Sequence, residues 1–238
     1  MDATVCLPTY NERENVERLV RALGEHDVRV LVIDDGSPDG TGEIADRLSR
    51  ELDYVDVLHR DRKEGLGPAY IAGFHRALSS GAELILEMDC DFSHDPNDVP
   101  RLIAAARAGA DLVLGSRYVA GGAIPNWGLL RRFISRGGCL YAQVILQTRV
   151  RDLTGGFKCY RRRVLETIEL DRIHSKGYAF QIETAYRALR KGFRVVEVPI
   201  TFVERERGTS KMSTAIVREA LCRVTRWGLE RRLPAIRA

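Results

Sequence analysis

Apolar residues in the first half of the chain follow two alternating rhythms. Thr4-Val5-Cys6-Leu7-Pro8 and Val28-Arg29-Val30-Leu31-Val32-Ile33-Asp34 are short, nearly continuous apolar runs, as expected of strands covered on both faces. Between them Val16, Leu19, Val20 and Leu23 recur at helical spacing, so residues 4–34 read as a βαβ unit. The pattern continues with a helix over 41–52, a strand at 55–58, a helix over 67–79, a strand at 83–88, a helix over 97–108 and a strand at 111–115. Such alternation predicts an α/β fold with a mostly parallel central sheet flanked by helices. Ligands of such sheets sit at the carboxyl ends of the strands. After Gly115 the rhythm breaks: a helix is expected from Leu129 to Leu146, a largely helical stretch over 161–191 and a strand over 194–202. In the tail Ile216, Val217, Ala220, Leu221, Val224 and Trp227 share one helical face, with arginines elsewhere. The expected organisation is one domain over 1–212 followed by an amphipathic helix within 213–238.

Charge changes this picture more than composition does. With 45% hydrophobic and 29% charged residues the chain is ordinary for a globular protein. Yet residues 1–116 carry 12 Lys/Arg against 23 Asp/Glu, whereas residues 117–163 carry 10 against one. An acidic half able to hold a metal thus precedes a basic block able to hold phosphates or face an anionic membrane. Nucleic acid is a poor fit to the block, because Tyr118, Trp127 and Phe133 are too few and scattered to stack bases. Cys6, Cys90, Cys139, Cys159 and Cys222 stand far apart with no CxxC pair, the pattern of reduced thiols in the cytosol. The amino terminus lacks the pattern of a secretory signal, and no apolar run approaches the roughly 20 residues that cross a bilayer.

The candidate chemistry lies at the strand ends. The first strand runs into Pro8-Thr9-Tyr10-Asn11-Glu12, where a dinucleotide-binding protein would carry GxGxxG, and that motif is absent. The second ends in Asp34-Asp35-Gly36-Ser37-Pro38-Asp39-Gly40-Thr41: three carboxylates in a turn, with glycines for positive φ and Thr41 able to cap the next helix. The apolar strand 83–88 ends in Asp89-Cys90-Asp91, a DxD whose carboxylates can point together at a hard cation such as Mg²⁺ or Mn²⁺. His94 either assists that site or closes the turn before Asp95-Pro96.

PTYNERENV, VLVIDDGSPDGT, KEGLGPAYIAGF, MDCDFSHDP, LVLGSRY, WGLLRRFISRGG, RDLTGGFKCYRR and FVERERGTSKM occur in that order over residues 4–212. In this order they resemble the inverting family-2 glycosyltransferases of GT-A fold, and more narrowly the polyprenyl (dolichyl) phosphate mannose synthases. The resemblance implies that Pro8, Tyr10 and Glu12 line a guanosine pocket, with Asp35 and Asp39 near the nucleoside. It implies that Asp89 and Asp91 hold the metal and the nucleotide diphosphate, with Cys90 and Ser93 in the same nucleotide-sugar segment. Arg117 and Arg131 match arginines on donor or acceptor phosphate, and Arg205 and Lys211 match a basic pair that reaches the diphosphate. Asp152, the one acid in the basic block, stands where related transferases place a base-like or acceptor-orienting residue; a salt bridge to a neighbouring arginine is the competing reading.

The activity so implied is mannose transfer from GDP-mannose to a polyprenyl monophosphate with inversion, the basic block 117–163 facing the departing diphosphate. It would occur at the cytosolic face of a membrane to which the chain binds peripherally, and the resemblance leaves room for a membrane-embedded partner subunit. The tail helix either lies on that membrane or packs on the domain. UDP-glucose or another donor is the enzymatic alternative, and a silent nucleotide- or lipid-binding module the alternative of another class.

Overall fold

The computed structural model describes residues 1–175, 177–204 and 214–232. Its strands are β1 (Ala3–Thr9), β2 (Arg29–Asp34), β3 (Val55–His59), β4 (Leu84–Glu87), β5 (Leu112–Ser116), β6 (Lys158–Arg161) and β7 (Val195–Pro199). They form one sheet in the order β3-β2-β1-β4-β6-β5-β7. Pairing is parallel throughout except at β6, which runs antiparallel to both β4 and β5. The parallel α/β architecture expected from the sequence is therefore present.

Each of the first five strands matches its expected position to within one or two residues; β1, β2, β4 and β5 do so with apolar runs that are almost wholly buried, whereas the edge strand β3 is only half-buried. In β1 Val5 and Leu7 join a core layer with Leu19, Leu23, Leu48 and Leu102, while Cys6 points to the opposite layer with Tyr70, Phe74 and Phe180. The helices supply those layers: α1 (Val16–Leu23), α2 (Thr41–Glu51), α3 (Leu66–Ser79), α4 (Val99–Arg107), α5 (Leu129–Leu146), α6 (Arg162–Thr167), α7 (Gly177–Arg190) and α8 (Thr214–Arg232). Gly73 on α3 lets that helix close on the sheet, since a Cβ there would stand 2.4 Å from Ile33 Cδ1.

The antiparallel strand β6 redistributes the basic block. Arg161 pairs in register with Leu84, the first residue of β4, so the end of β6 lies at the edge opposite the DxD. There Arg161 and Arg162 donate to the carbonyls of Ala110 and Leu78, and Arg163 pairs with Asp111. The expectation that the whole of 117–163 faces a leaving diphosphate is corrected accordingly. Residues 161–163 cap carbonyls and one carboxylate at the far edge, because an antiparallel strand carries its C-terminal residues away from the site.

Candidate active site

The carboxyl ends of β1, β2, β4 and β5 open on one edge of the sheet, and β1 is flanked by strands reached in opposite directions, the crevice where such folds bind ligands. At the β1 end, Pro8 pairs with Ile33 in β2 and Asn11 turns the chain with φ of 59°. Glu12 accepts from Asn15 Nδ2 at 2.9 Å, and Lys63 Nζ sits 3.9 Å over the Tyr10 ring. The loop after β2 is cross-linked to this turn: Asn11 N donates to Ser37 Oγ (3.1 Å), Glu12 N to Thr41 Oγ1 (3.0 Å) and Arg13 N to Asp39 Oδ2 (3.2 Å).

Gly36 and Gly40 adopt the expected positive φ, but Thr41 does not cap α2. Asp39 Oδ1 instead accepts from Thr41 N at 3.1 Å and from its hydroxyl at 2.6 Å. Burial raises the Asp39 carboxyl, but these bonds and the one from Arg13 outweigh it and leave the pKa below the usual value. Asp35 goes the other way: burial raises it despite the ion pair with Arg60.

The DxD leaves the end of β4. Asp91 is 6% exposed and accepts from Ser93 N at 3.0 Å, a contact made by the tight turn in which Phe92 takes φ of 58°. Asp89 is half-buried and receives the Tyr70 hydroxyl at 3.3 Å. Cys90 between them points inward, and burial raises its thiol pKa far above the ordinary value. It therefore stays a neutral thiol at this position. His94 is buried against the rings of Phe157 (5.1 Å) and Phe202 (5.3 Å), and desolvation pushes its pKa down to about 4. It is a neutral wall of the turn.

Among the described residues no cluster of three or more His, Cys, Asp or Glu could enclose an ion. Two carboxylates in a crevice, with the remaining ligands left to substrate and water, suit Mg²⁺ or Mn²⁺ carried with a diphosphate.

Across the crevice, at the end of β5, Arg117 and Asp152 form a buried bidentate pair. Arg117 Nε meets Asp152 Oδ2 and Nη2 meets Oδ1, each at 2.7 Å, and Arg117 N adds a third bond at 2.9 Å. Asp152 is fully buried; burial raises its carboxyl, yet Arg117 more than compensates and holds the pKa below the usual range. A carboxylate so held is a poor base. The geometry is that of the salt bridge to a neighbouring arginine. The guanidinium faces the Trp127 and Phe202 rings at 5.7 and 5.3 Å. Arg131, in the first turn of α5, lies 4.1 Å over Trp127 and pairs with Glu204 at 2.6 Å. Arg205 and Lys211 lie outside the described residues.

Beyond Arg131 opens an apolar cleft between α5, α7 and α8, lined by Ile134, Tyr141, Ile182, Val217, Leu221 and Val224 among others. The α8 stripe packs in part on the domain: Val224 is buried and Trp227 stacks on Tyr186 at 6.1 Å, while beside the stripe Thr225 bonds the Tyr141 hydroxyl at 2.6 Å. The tail helix is thus in contact with α5 and α7 of the domain. Apolar side chains are exposed chiefly on α5, where Leu129, Leu130, Phe133, Leu140 and Val144 are 58% exposed or more, with Leu221 and Leu229 exposed on α8. Four of them, Leu129, Phe133, Leu140 and Val144, fall within about 60° of one another at ~100° per residue, with Arg132 and Arg136 beside them. Sequence reading missed this stripe, although the 129–146 periodicity carried the signal. It also passed over Thr154, which accepts from Arg117 Nη2 at 2.9 Å.

An α/β sheet with a strand-end DxD, no dinucleotide loop and phosphate-suited arginines facing it defines a sugar-nucleotide-dependent transferase. Comparison with known proteins agrees. The profile of glycosyl transferase family 2 matches residues 4–169, and the chain belongs to that family. It is similar to the polyprenol monophosphomannose synthase of Mycolicibacterium smegmatis, 49% identical over 98% of this chain and 89% of the relative. It is also similar to the undecaprenyl-phosphate mannosyltransferase of Micrococcus luteus, 51% identical over 100% of this chain and 98% of the relative. Among solved structures, glucosyl-3-phosphoglycerate synthase from Mycobacterium tuberculosis, crystallised with Mn²⁺, UDP-glucose and phosphoglyceric acid, superposes with a TM-score of 0.73. That match covers 98% of this chain and 81% of that one at 18% identity, a likeness of fold.

Proposed function

We propose that this enzyme transfers mannose from GDP-mannose to a polyprenyl monophosphate with inversion, releasing GDP. The observation that carries the reading is the apolar cleft with Arg131 at its mouth and the Arg117–Asp152 pair nearby: a place for an isoprenoid chain ending in a phosphate. The two mannosyltransferase relatives support the sugar and the lipid. The crosslinked loops at the ends of β1 and β2, with Tyr10, Glu12, Asp35 and Asp39, are assigned to the nucleoside. Asp89 and Asp91 would hold a Mg²⁺ or Mn²⁺ ion, which when bound neutralises charge gathering on the leaving diphosphate.

The acceptor phosphate is anionic near neutral pH, its second pKa being about 6, so no strong base is required. That is in keeping with Asp152 being committed to Arg117. Arg117 and Arg131 orient the acceptor oxygen toward the anomeric carbon, opposite the leaving group, and single displacement there inverts configuration. The experiment is incubation of purified protein with labelled GDP-mannose and polyprenyl phosphate. An EDTA-sensitive glycolipid product, and tighter binding of GDP than of UDP, are expected; a labelled lipid formed only from UDP-sugars overturns the donor assignment.

The chain is assigned peripherally to the cytosolic membrane face, through the apolar stripe of α5. Among the described residues no helix is long and apolar enough to cross a membrane. Leu130 and Phe133 are 73% and 77% exposed, so their replacement leaves the core untouched. The double variant Leu130→Asp/Phe133→Asp is expected to bind anionic vesicles at least about tenfold more weakly, since each apolar side chain contributes about 1.5–3 kcal/mol on burial. Vesicle flotation at parent levels would remove α5 from the membrane contact.

A further inference from the structure

Beneath Asp89 the core holds a sealed polar network that the reading above does not use. Lys158 Nζ lies 2.8 Å from Glu87 Oε1, and it donates to the main-chain oxygen of Gln181 at 3.0 Å and to the Gln181 side-chain Oε1. The Tyr160 hydroxyl joins Glu87 Oε1 (2.9 Å) to Thr184 Oγ1 (3.0 Å). An ammonium offers donors only. The carbonyl oxygen of the Gln181 carboxamide must therefore face Lys158, and its NH₂ must face away. Gln181 is 2% exposed, and its Nε2 has no hydrogen-bond partner among the described residues. A buried donor left without a partner is costly, a cost that a bound ligand would remove.

Gly156 locates that donor. A Cβ built on Gly156 would stand 3.3 Å from Gln181 Nε2 and 3.4 Å from Asp89 Oδ2, so the bare glycine lies directly against an amide donor and a carboxylate. Its neighbour Gly155 faces the other wall, where a Cβ would stand 3.7 Å from Asp152 Oδ1. Thr154 bonds Arg117. Residues 154–156 thus reach from the Arg117–Asp152 pair to the DxD.

We propose that Gln181, fixed as a donor by Lys158, binds a hydroxyl of the transferred sugar over Gly156 beside Asp89, and so helps select the sugar. The hydroxyl oxygen accepts from Nε2. A sugar without a hydroxyl there leaves the buried amide unpartnered and is rejected. The inference rests on the transfer reading above.

The test compares Gln181→Glu, Gln181→Met and Gly156→Ala with the parent enzyme. Gln181→Glu keeps the shape and the contact with Lys158 but loses the amide donor, and Gln181→Met loses the donor without adding a charge beside Asp89. The expected result for Gln181→Glu is unchanged GDP affinity and lipid-phosphate KM, with kcat/KM for the sugar nucleotide down about 10- to 100-fold. Gln181→Met should fall likewise and lose the parent's discrimination against one deoxy-sugar analogue. Should Gln181→Glu fail to fold, Gly156→Ala carries the test, because its methyl meets neighbours near contact distance and fills the proposed site; the same loss is expected. Parent-like donor kcat/KM in either folded variant, or a defect confined to the KM of the lipid phosphate, overturns the proposal. A parent that transfers no sugar from any nucleotide overturns the proposed function with it, whereas an active parent with indifferent variants overturns this inference alone.

Discussion

Asp91→Ala is expected to fold normally and to lose mannosyl transfer by about 10²–10³-fold, the scale seen when one group stabilising developing charge is removed from a reaction centre. The effect on stability is small by comparison. Asp91 accepts from Ser93 N at 3.0 Å, and loss of such a bond costs about 1 kcal/mol. Its proximity to Asp89, two residues away, further means that the alanine removes a negative charge from an acidic pocket. Circular dichroism and thermal unfolding test the fold, and a labelled-lipid assay across Mg²⁺ and Mn²⁺ concentrations tests the loss. Near-normal turnover by a folded variant would show that the ion does not sit on the DxD. Asn in place of Asp91 keeps an oxygen ligand and the turn, so partial recovery at high Mn²⁺ is the expected companion result.

What could be read from the chain divides along a physical line. The parallel half was legible because doubly covered strands need continuous apolar runs, and Leu84–Glu87 or Arg29–Asp34 cannot be mistaken for a helix of ordinary length. The DxD was legible because two carboxylates at the end of such a strand have few structural uses. Strand β6 was not: Lys158-Cys159-Tyr160-Arg161 reads as a basic linker, and its membership of the sheet depends on the buried pairing of Lys158 with Glu87, a residue 71 positions earlier. Missing β6 meant missing that Arg161, Arg162 and Arg163 lie at the far edge of the sheet. Gln181 was hidden for a related reason. A glutamine inside an apolar helix carries no local signal, and its chemistry appears only once Lys158 lies beneath it. The tail helix was ambiguous in sequence because a stripe that packs on a neighbouring helix has the same periodicity as one that enters a membrane. In the fold Tyr186 and Tyr141 contact Trp227 and Thr225, so part of that stripe packs on the domain.

Asp152→Ala is expected to separate stability from catalysis at the other wall of the crevice. The substitution strips a buried guanidinium of its bidentate partner, and Arg117 N loses its acceptor at 2.9 Å. Removing one member of such a pair costs about 3–5 kcal/mol, which for a domain of this size lowers Tm by roughly 6–20 °C. The dependence on pH has a definite sign. Asp152 has a folded-state pKa below its unfolded value, so its contribution is complete above the ordinary carboxyl value of about 3.9 and is lost as pH falls through the folded pKa. The Tm gap between parent and Asp152→Ala should therefore be constant at neutral pH and close only in acid below about pH 4. The double variant Arg117→Met/Asp152→Leu removes both charges, and since burying an ion pair is itself costly it should recover most of the lost stability. It should not recover transfer, because no guanidinium remains at the end of β5 to orient the acceptor phosphate. A double variant as stable as the parent and also active would reduce Arg117 to a packing residue; one that is stable and inactive leaves the pair as the anchor of the acceptor.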